Sequence, residues 1–192
     1  MNPLKGRAIF FVTRNINKFN EARRVLAEYK IAVAMLRLKT IEIQDDDVEN
    51  IARMRAIDAL EKSNLPLIVE DAGLFIKSLN GFPGPYSSYV YRTIGSRGIL
   101  KLMGDVDDRS AQFRSVVVYC SPEEQVRLFR GVVDGKIATE ARGSSGFGFD
   151  PIFEPEGGGG KTFAEMTIEE KNRLSHRSKA LRSFAEWYKG MR

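Results

Sequence analysis

Short apolar runs alternate with amphipathic stretches along the first half of the chain. "RAIFFVTRN" is an apolar run that stops at a polar turn, the pattern of a buried strand. In "NKFNEARRVLAEY", which follows, Phe19, Ala22, Val25, Leu26 and Tyr29 fall on one helical face. The opening therefore reads strand, turn, helix, with "TRNINK" in the turn. "KTIEIQ" alternates like a half-buried strand, and "DDDVENIARMRAIDALEKS" begins acidic, as a helix N-terminus prefers. "PLIVED" reads as a buried strand that stops at two carboxylates, "GFPGPYSSY" as a Pro/Gly loop and "SRGILKLMG" as a short helix.

The texture then changes. "SAQFRSVVVYCSP" and "EQVRLFRGVVDGKIA" both alternate and are joined by a short polar turn, which predicts an antiparallel hairpin. "GFGFDPIFEP" adds a brief strand and "EGGGGKT" a flexible loop. "SHRSKALRSFAEWY" closes with a helix that puts Leu181, Phe184, Ala185 and Tyr188 on one face, capped by Ser175. There is no internal repeat, and the glycine run is too short to join two domains. Residues 1–192 read as one α/β domain folded into two lobes.

Composition narrows the class. With 43% hydrophobic and 29% charged residues, 192 residues can bury one sizeable core. No apolar run approaches the roughly 20 residues of a membrane span, and "MNPLKGRAIFFV" lacks the parts of a signal peptide. The single cysteine, Cys120, excludes an internal disulfide and sits in "SVVVYC" as a buried, inert thiol, so the cytoplasm is the expected compartment. A net charge of +5 admits polyphosphate or nucleic-acid partners, but the cations are scattered and form no run.

Four stretches carry candidate chemistry. "VTRNINK" lies where ligands bind in α/β sheets, at a strand end, and the next helix offers N–H groups to an anion. Thr13 and Asn15 add neutral donors and Lys18 a charge. The stretch reads as a phosphate cradle or as an ordinary capped helix start; it is neither a Walker A loop nor a dinucleotide fingerprint. In "LIVEDAGL", Glu70 and Asp71 emerge on opposite faces, and Glu42 is a third acid in the alternating "TIEIQ". Carboxylates from two strand ends suit Mg²⁺, which takes one or two of them plus substrate phosphates; solvated strand-end acids are the alternative.

Arg55 sits amid Val48, Ile51, Ala52 and Ala59 on the apolar face of the helix from Asp47 to Ser63. It either snorkels outward or points into a cleft that holds an anion. In "GFGFD", Phe147 and Phe149 flank Gly148, which suits a flat ring approaching the backbone, and Asp150 can accept from the N–H edge of a base. Lys171, His176 and Arg177 bracket the start of the last helix, where cations are disfavoured unless an anion is near. The other reading is a loop that packs both phenylalanines into the core. Together the stretches specify an aromatic base, a chain of negative charge and a divalent metal: a nucleoside triphosphate with Mg²⁺.

"TRNINK", "EIQ", "VEDAGLFI…LNGFPGPYSSY", "GFGFDPIFEP", "KTFAEM", "EEKN" and "SHRSKAL" resemble, in order and from about Ile9 to Leu181, the inosine triphosphatase family of purine nucleoside triphosphate pyrophosphatases. The resemblance implies an elongated two-lobed α/β molecule with a long mixed sheet flanked by helices and the active cleft between lobes. It implies a triphosphate loop of Thr13, Arg14, Asn15, Ile16, Asn17 and Lys18. Glu42 becomes a Mg²⁺ ligand, and Asp71 both metal-associated and the proton acceptor for the attacking water. Arg55 stands where the family usually has a phosphate-contacting lysine, and Ala72 where Ser or Thr is frequent, leaving only its backbone N–H. Phe149 stacks on the base, in a binding run with Phe147 and Gly148; Asp150 meets the base edge, and Lys171, His176 and Arg177 help hold base and phosphate. The implied reaction cleaves ITP, dITP or XTP to nucleoside monophosphate and pyrophosphate, clearing these bases from the nucleotide pool. The family implies a homodimer, with "GFPGPYSSY" as a contact loop.

Two rival readings are an enzyme of the same architecture acting on modified pyrimidine nucleotides, and a non-enzymatic nucleic-acid-binding module. The second calls for basic clusters interleaved with aromatics on one face. The cations here are instead dispersed among strand-end carboxylates.

Overall fold

The computed structural model describes residues 8–124 and 126–191. Arg7 and Gln125, which the sequence pattern places in strands, and the segment before Arg7 lie outside the described residues.

The chain opens as β1 (Ala8–Val12), α1 (Ile16–Glu28), β2 (Ala32–Leu36), α2 (Val48–Ser63) and β3 (Leu67–Ile76). β1 runs parallel to both β2 and β3, so α1 and α2 are crossover helices. A two-residue strand β4 (Pro83–Gly84) pairs with the end of β3 and leads into α3 (Ser87–Thr93) and α4 (Gly95–Leu102). The predicted hairpin is present as β5 (Ser110–Cys120) and β6 (Arg127–Ile137), paired from Ser110↔Lys136 to Tyr119↔Arg127. β7 (Phe153–Pro155), α5 (Ile168–Leu174) and α6 (His176–Gly190) complete it. One mixed sheet results, ordered β2-β1-β3-β5-β6-β7 with β4 beside β3. Among the described residues no helix is long and apolar enough to cross a membrane.

Strand alternation decides which residues meet which helix. Ile9, Phe11, Ile68, Val117 and Tyr119 pack on one face with Ala22, Val25 and Leu26 of α1 and Leu181 and Phe184 of α6. Val12, Leu67, Val69, Val116 and Val118 face the other way, onto Val48, Ala52, Ala56 and Ala59 of α2. A third cluster gathers at the far ends of the same long strands: Leu74 and Ile76, Ala111 and Phe113, Val133 and Ile137. Glu70, Asp71 and Ala72 stand at the waist between these clusters. By the same alternation Glu70 shares the α1/α6 face with Ile68, and Asp71 the α2 face with Val69.

Four expectations change. β3 does not stop at the carboxylates: it pairs with β5 from Leu67↔Cys120 to Ile76↔Ala111, which carries the strand five residues past Asp71. "KTIEIQ" forms no strand, and its place in the sheet is taken by β2. "GFPGPYSSY" is not all loop, since it contains β4 and the start of α3. A further helix, α5, stands ahead of α6, begun by a reciprocal capping box of Thr167 and Glu170.

α6 lies very close to the sheet because residue 131 is a glycine. A Cβ on Gly131 of β6 would sit 2.0 Å from the His176 carbonyl oxygen. The first turn of α6 can therefore approach the β6 backbone directly.

Candidate active site

A cleft of about 1230 Å³ opens at the waist. Of the residues singled out by the sequence, Thr13, Arg14, Asn15, Lys18, Glu42, Arg55, Asp71, Ala72, Phe147, Gly148, Phe149, Asp150, His176 and Arg177 line it, together with Glu70. Ile16 does not; it is half exposed at the start of α1. Asn17 and Lys171 border a second pocket of about 230 Å³, which shares Phe147 with the cleft and reaches Glu21.

The turn before α1 is tightly capped. Thr13 Oγ1 accepts from the Asn15 N–H (3.1 Å), and Asn15 Oδ1 accepts from those of Asn17 (2.9 Å) and Lys18 (3.2 Å). Three amides expected to face an anion are therefore already bonded, and the pull of this end on phosphate rests on the helix dipole and on Arg14, exposed at the cleft. Lys18 is engaged too: its Nζ lies 2.8 Å from Glu70 Oε2.

That contact opens a buried network. Glu70 Oε1 accepts from Ser115 Oγ (2.7 Å) and lies 3.1 Å from Arg177 Nε. Arg177 Nη1 donates to Glu21 Oε2 (2.6 Å), and Lys171 Nζ lies 2.8 Å from Glu21 Oε1 and 2.6 Å from Asp150 Oδ2. Three cations thus meet three carboxylates, nearly all shut from water. Burial works to raise the Glu70 and Glu21 pKa values, but the charge of Arg177, with Lys18 on Glu70 and Lys171 on Glu21, outweighs it and holds both below the ordinary range. Arg177 is held above its usual value by the same carboxylates, against its burial. The cations at the start of α6, expected to await a ligand anion, are answered instead by Glu21 and Glu70, of which Glu21 did not figure in the sequence reading.

Asp71 stands on the other face of β3 with a different partner. Arg55 Nη1 donates to Asp71 Oδ1, and Arg55 Nε to Thr40 Oγ1 at 3.3 Å. Arg55 therefore neither snorkels away nor waits for a ligand as its sole partner. Asp71 Oδ2 is buried without a hydrogen-bond partner. Burial raises the Asp71 pKa, with Arg55 and Lys18 pulling it down and Glu70 adding to the rise. Among the described residues no three His, Cys, Asp or Glu side chains converge on a point. Asp71 and the exposed Glu42 line the same cleft and are carboxylates there that could offer hard oxygens to a divalent ion.

The two phenylalanines separate cleanly. Phe149 is 3% exposed, belongs to the core cluster of Phe113 and Ile152, and meets Tyr91 edge-on at 5.4 Å. Its stacking role is corrected by that burial. Phe147 is partly exposed, with Lys171 Nζ at 4.8 Å and the Arg177 guanidinium at 5.3 Å from its ring. Asp150 holds the loop: its Oδ2 accepts from the Phe147 N–H (2.8 Å) as well as from Lys171. Gly146, at φ +74°, makes room for this, since a Cβ there would fall 2.1 Å from that oxygen. Burial raises the Asp150 pKa against the pull of Lys171. His176 stacks on Phe113 (centroids 4.6 Å apart), and burial and then Arg177 depress its pKa well below the ordinary value. Cys120 is buried, with its thiol pushed up to about 11, as an inert core residue.

A mixed α/β sheet with a waist cleft that gathers charged side chains, an unpartnered carboxylate oxygen and a partly exposed aromatic ring has the make-up of a small-molecule site. The sequence profile of the Ham1 family matches residues 9–187, and the chain belongs to that family. It is 52% identical over 181 residues to the dITP/XTP pyrophosphatase of Methanopyrus kandleri, covering 94% of this chain and 96% of that one. With the dITP/XTP pyrophosphatase of Thermococcus kodakarensis it shares 51% over 179 residues, 93% and 96% of the two chains. Among solved structures, a HAM1 protein from Coxiella burnetii superposes with a TM-score of 0.83 at 28% identity, over 95% of this chain and 98% of the other.

Proposed function

We propose that this protein hydrolyses deaminated purine nucleoside triphosphates, dITP, ITP and XTP, to the monophosphate and pyrophosphate. The observation that carries the reading is the meeting, in one cleft, of the unpartnered Asp71 oxygen, the α1 N-terminus and the Phe147 ring. Relatives about half identical over nearly the whole chain bear the name of that activity.

In this reading the base lies against Phe147, whose ring is backed by Lys171 and Arg177. The amides of His176 and Arg177, the first two of α6, have no intrahelical acceptor and are suited to donate to a 6-oxo group, while Ser175 caps Ser178. A 6-amino group offers no acceptor there, so adenine nucleotides leave donors unpaired. Asp150 fixes the loop that carries Phe147 instead of reading the base edge. The triphosphate runs toward Arg14 and Lys18. A bound Mg²⁺, held by Glu42 and Asp71, supplies neutralisation of charge that builds on the phosphates. Asp71 accepts a proton from water as the water oxygen bonds to the α-phosphorus, and the bond to the bridging oxygen breaks to release pyrophosphate.

A nucleotide-pool enzyme belongs in the cytoplasm. A homodimer is the expected assembly, seated on the exposed Phe82, Tyr86, Tyr89 and Ile94 around α3; sedimentation would measure it. The main test is a panel of ITP, XTP, dITP, GTP and ATP with Mg²⁺, scored for pyrophosphate against orthophosphate. Pyrophosphate from the first three with little turnover of ATP is expected. Stepwise orthophosphate release would overturn the bond assignment, and preferred turnover of modified pyrimidine triphosphates the substrate class.

A further inference from the structure

Residues 39–44 form the cleft wall that carries Glu42, yet they belong to no strand. β2 ends at Leu36 and is the outer strand of its side of the sheet. An irregular wall without a ladder needs another anchor if a carboxylate on it is to keep one position. The anchor is one stripe of α2. Arg55, Asp58 and Lys62 stand at i, i+3 and i+7, on a single helical face. Each grasps a different residue of the wall. Arg55 Nε donates to Thr40 Oγ1, Asp58 Oδ2 accepts the Ile41 N–H at 3.0 Å, and Lys62 Nζ donates to the Lys39 carbonyl at 3.1 Å. Lys62 also donates to Asp58 Oδ2 at 2.7 Å, which ties the two clasps together.

We propose that Asp58, steadied by Lys62, is a positioning residue for metal binding: it fixes the peptide at Ile41, one residue before Glu42, and so sets where the Glu42 carboxylate stands. The inference rests on the reading of Glu42 and Asp71 as the metal-holding carboxylates. Asp58 does not itself line the cleft, so it acts through the wall and not by touching a ligand. As a surface i,i+4 ion pair alone, Asp58–Lys62 would contribute little. Its bond to a main-chain amide next to a metal-associated residue is what gives it leverage, because a ligand on a loosened segment must be ordered again at each binding event.

The test is titration of the full chain with Mn²⁺, following the electron-spin resonance signal of the free ion. Asp58→Ala should weaken Mn²⁺ binding about tenfold, the low end for loss of a partner that orients a metal ligand. Asp58→Asn keeps an oxygen that accepts the Ile41 N–H and should stay within about threefold of wild type on the same scale. Lys62→Met removes the second clasp and gives an intermediate loss, which keeps the idea testable should Asp58→Ala fold poorly. Glu42→Gln is the control for the underlying reading. Wild-type binding by Asp58→Ala, with binding lost in Glu42→Gln, overturns the positioning role and leaves the metal site standing. Equal losses in Asp58→Ala and Asp58→Asn also overturn it, since charge and not the amide contact would then matter. Unchanged binding by Glu42→Gln removes both.

Discussion

Replacing Glu21 by glutamine tests whether the buried network holds the site in place. The substitution keeps the size and removes one of three carboxylates set against three cations. Arg177 and Lys171 are both 3% exposed, so water cannot replace what they lose. One amide oxygen can accept from one of them, and the amide N–H₂ then faces the other, donor against donor. Removing one partner of a buried ion pair costs about 3–5 kcal/mol. Arg177 keeps Glu70 and Lys171 keeps Asp150, which favours the lower end. At roughly 2–4 °C per kcal/mol for a chain of this size, a loss of about 3 kcal/mol lowers the melting midpoint by about 6–12 °C. Phe147 rests against the same two cations, so KM for ITP should rise as well, by about tenfold if one stacking contact is lost. Thermal melts by circular dichroism and steady-state kinetics on the same preparation read both. A midpoint within about 2 °C of wild type together with an unchanged KM would refute the reasoning, because Glu70 and Asp150 would then suffice for both cations.

Asp71→Asn should cut turnover roughly 10²-fold or more while leaving the fold intact; near-normal rates would move the proton acceptor elsewhere. Phe147→Ala should raise KM for ITP by about tenfold with kcat little changed, since stacking holds ground and transition states alike. Phe149→Ala should instead destabilise the fold by about 3–5 kcal/mol, as loss of a core aromatic does; the two outcomes exchanged would return the stacking role to Phe149. His176 is held below its ordinary 6.5, so the unfolded chain binds a proton that the folded one refuses. Stability therefore falls as pH drops below about 6.5 until the folded value is passed. His176→Phe should flatten the melting midpoint across that window, and an unaltered pH dependence would rule out His176 as its source.

Elements with a complete local pattern were legible in the sequence. The first strand and helix, the hairpin and the closing helix each carry their own periodicity and caps. "KTIEIQ" alternates as cleanly as any strand, but alternation describes a surface and a ladder needs a neighbour, which α2 side chains replace. β2, "AVAML", has no polar beat and one β-branched residue, so nothing local marks it. The capping box Thr167–Glu170 is the one local sign of α5. The waist cleft brought most of the candidate residues together, yet their pairing was not legible, because partners lie on different elements. Glu21 could have been found: it interrupts the apolar side of α1 beside Ala22, the same anomaly that singled out Arg55 on α2. Two phenylalanines flanking one glycine carry no sign of which ring the core will claim. Only the tertiary packing separates Phe147 from Phe149.

The bond from Arg177 to Glu21 joins residues 156 positions apart. During synthesis at about 5–20 residues per second, Glu21 is made roughly 8–30 s before the arginine that neutralises it. Through that interval Glu21 has neither Arg177 nor Lys171 to meet it, so burying it as a charge against the sheet carries the full desolvation cost. Completion of the buried network therefore waits for α5 and α6, which bring Lys171 and Arg177. Such long-range closure makes folding slow relative to local helix formation, and a chain that stopped before α5 would leave Glu21 without either cation that neutralises it.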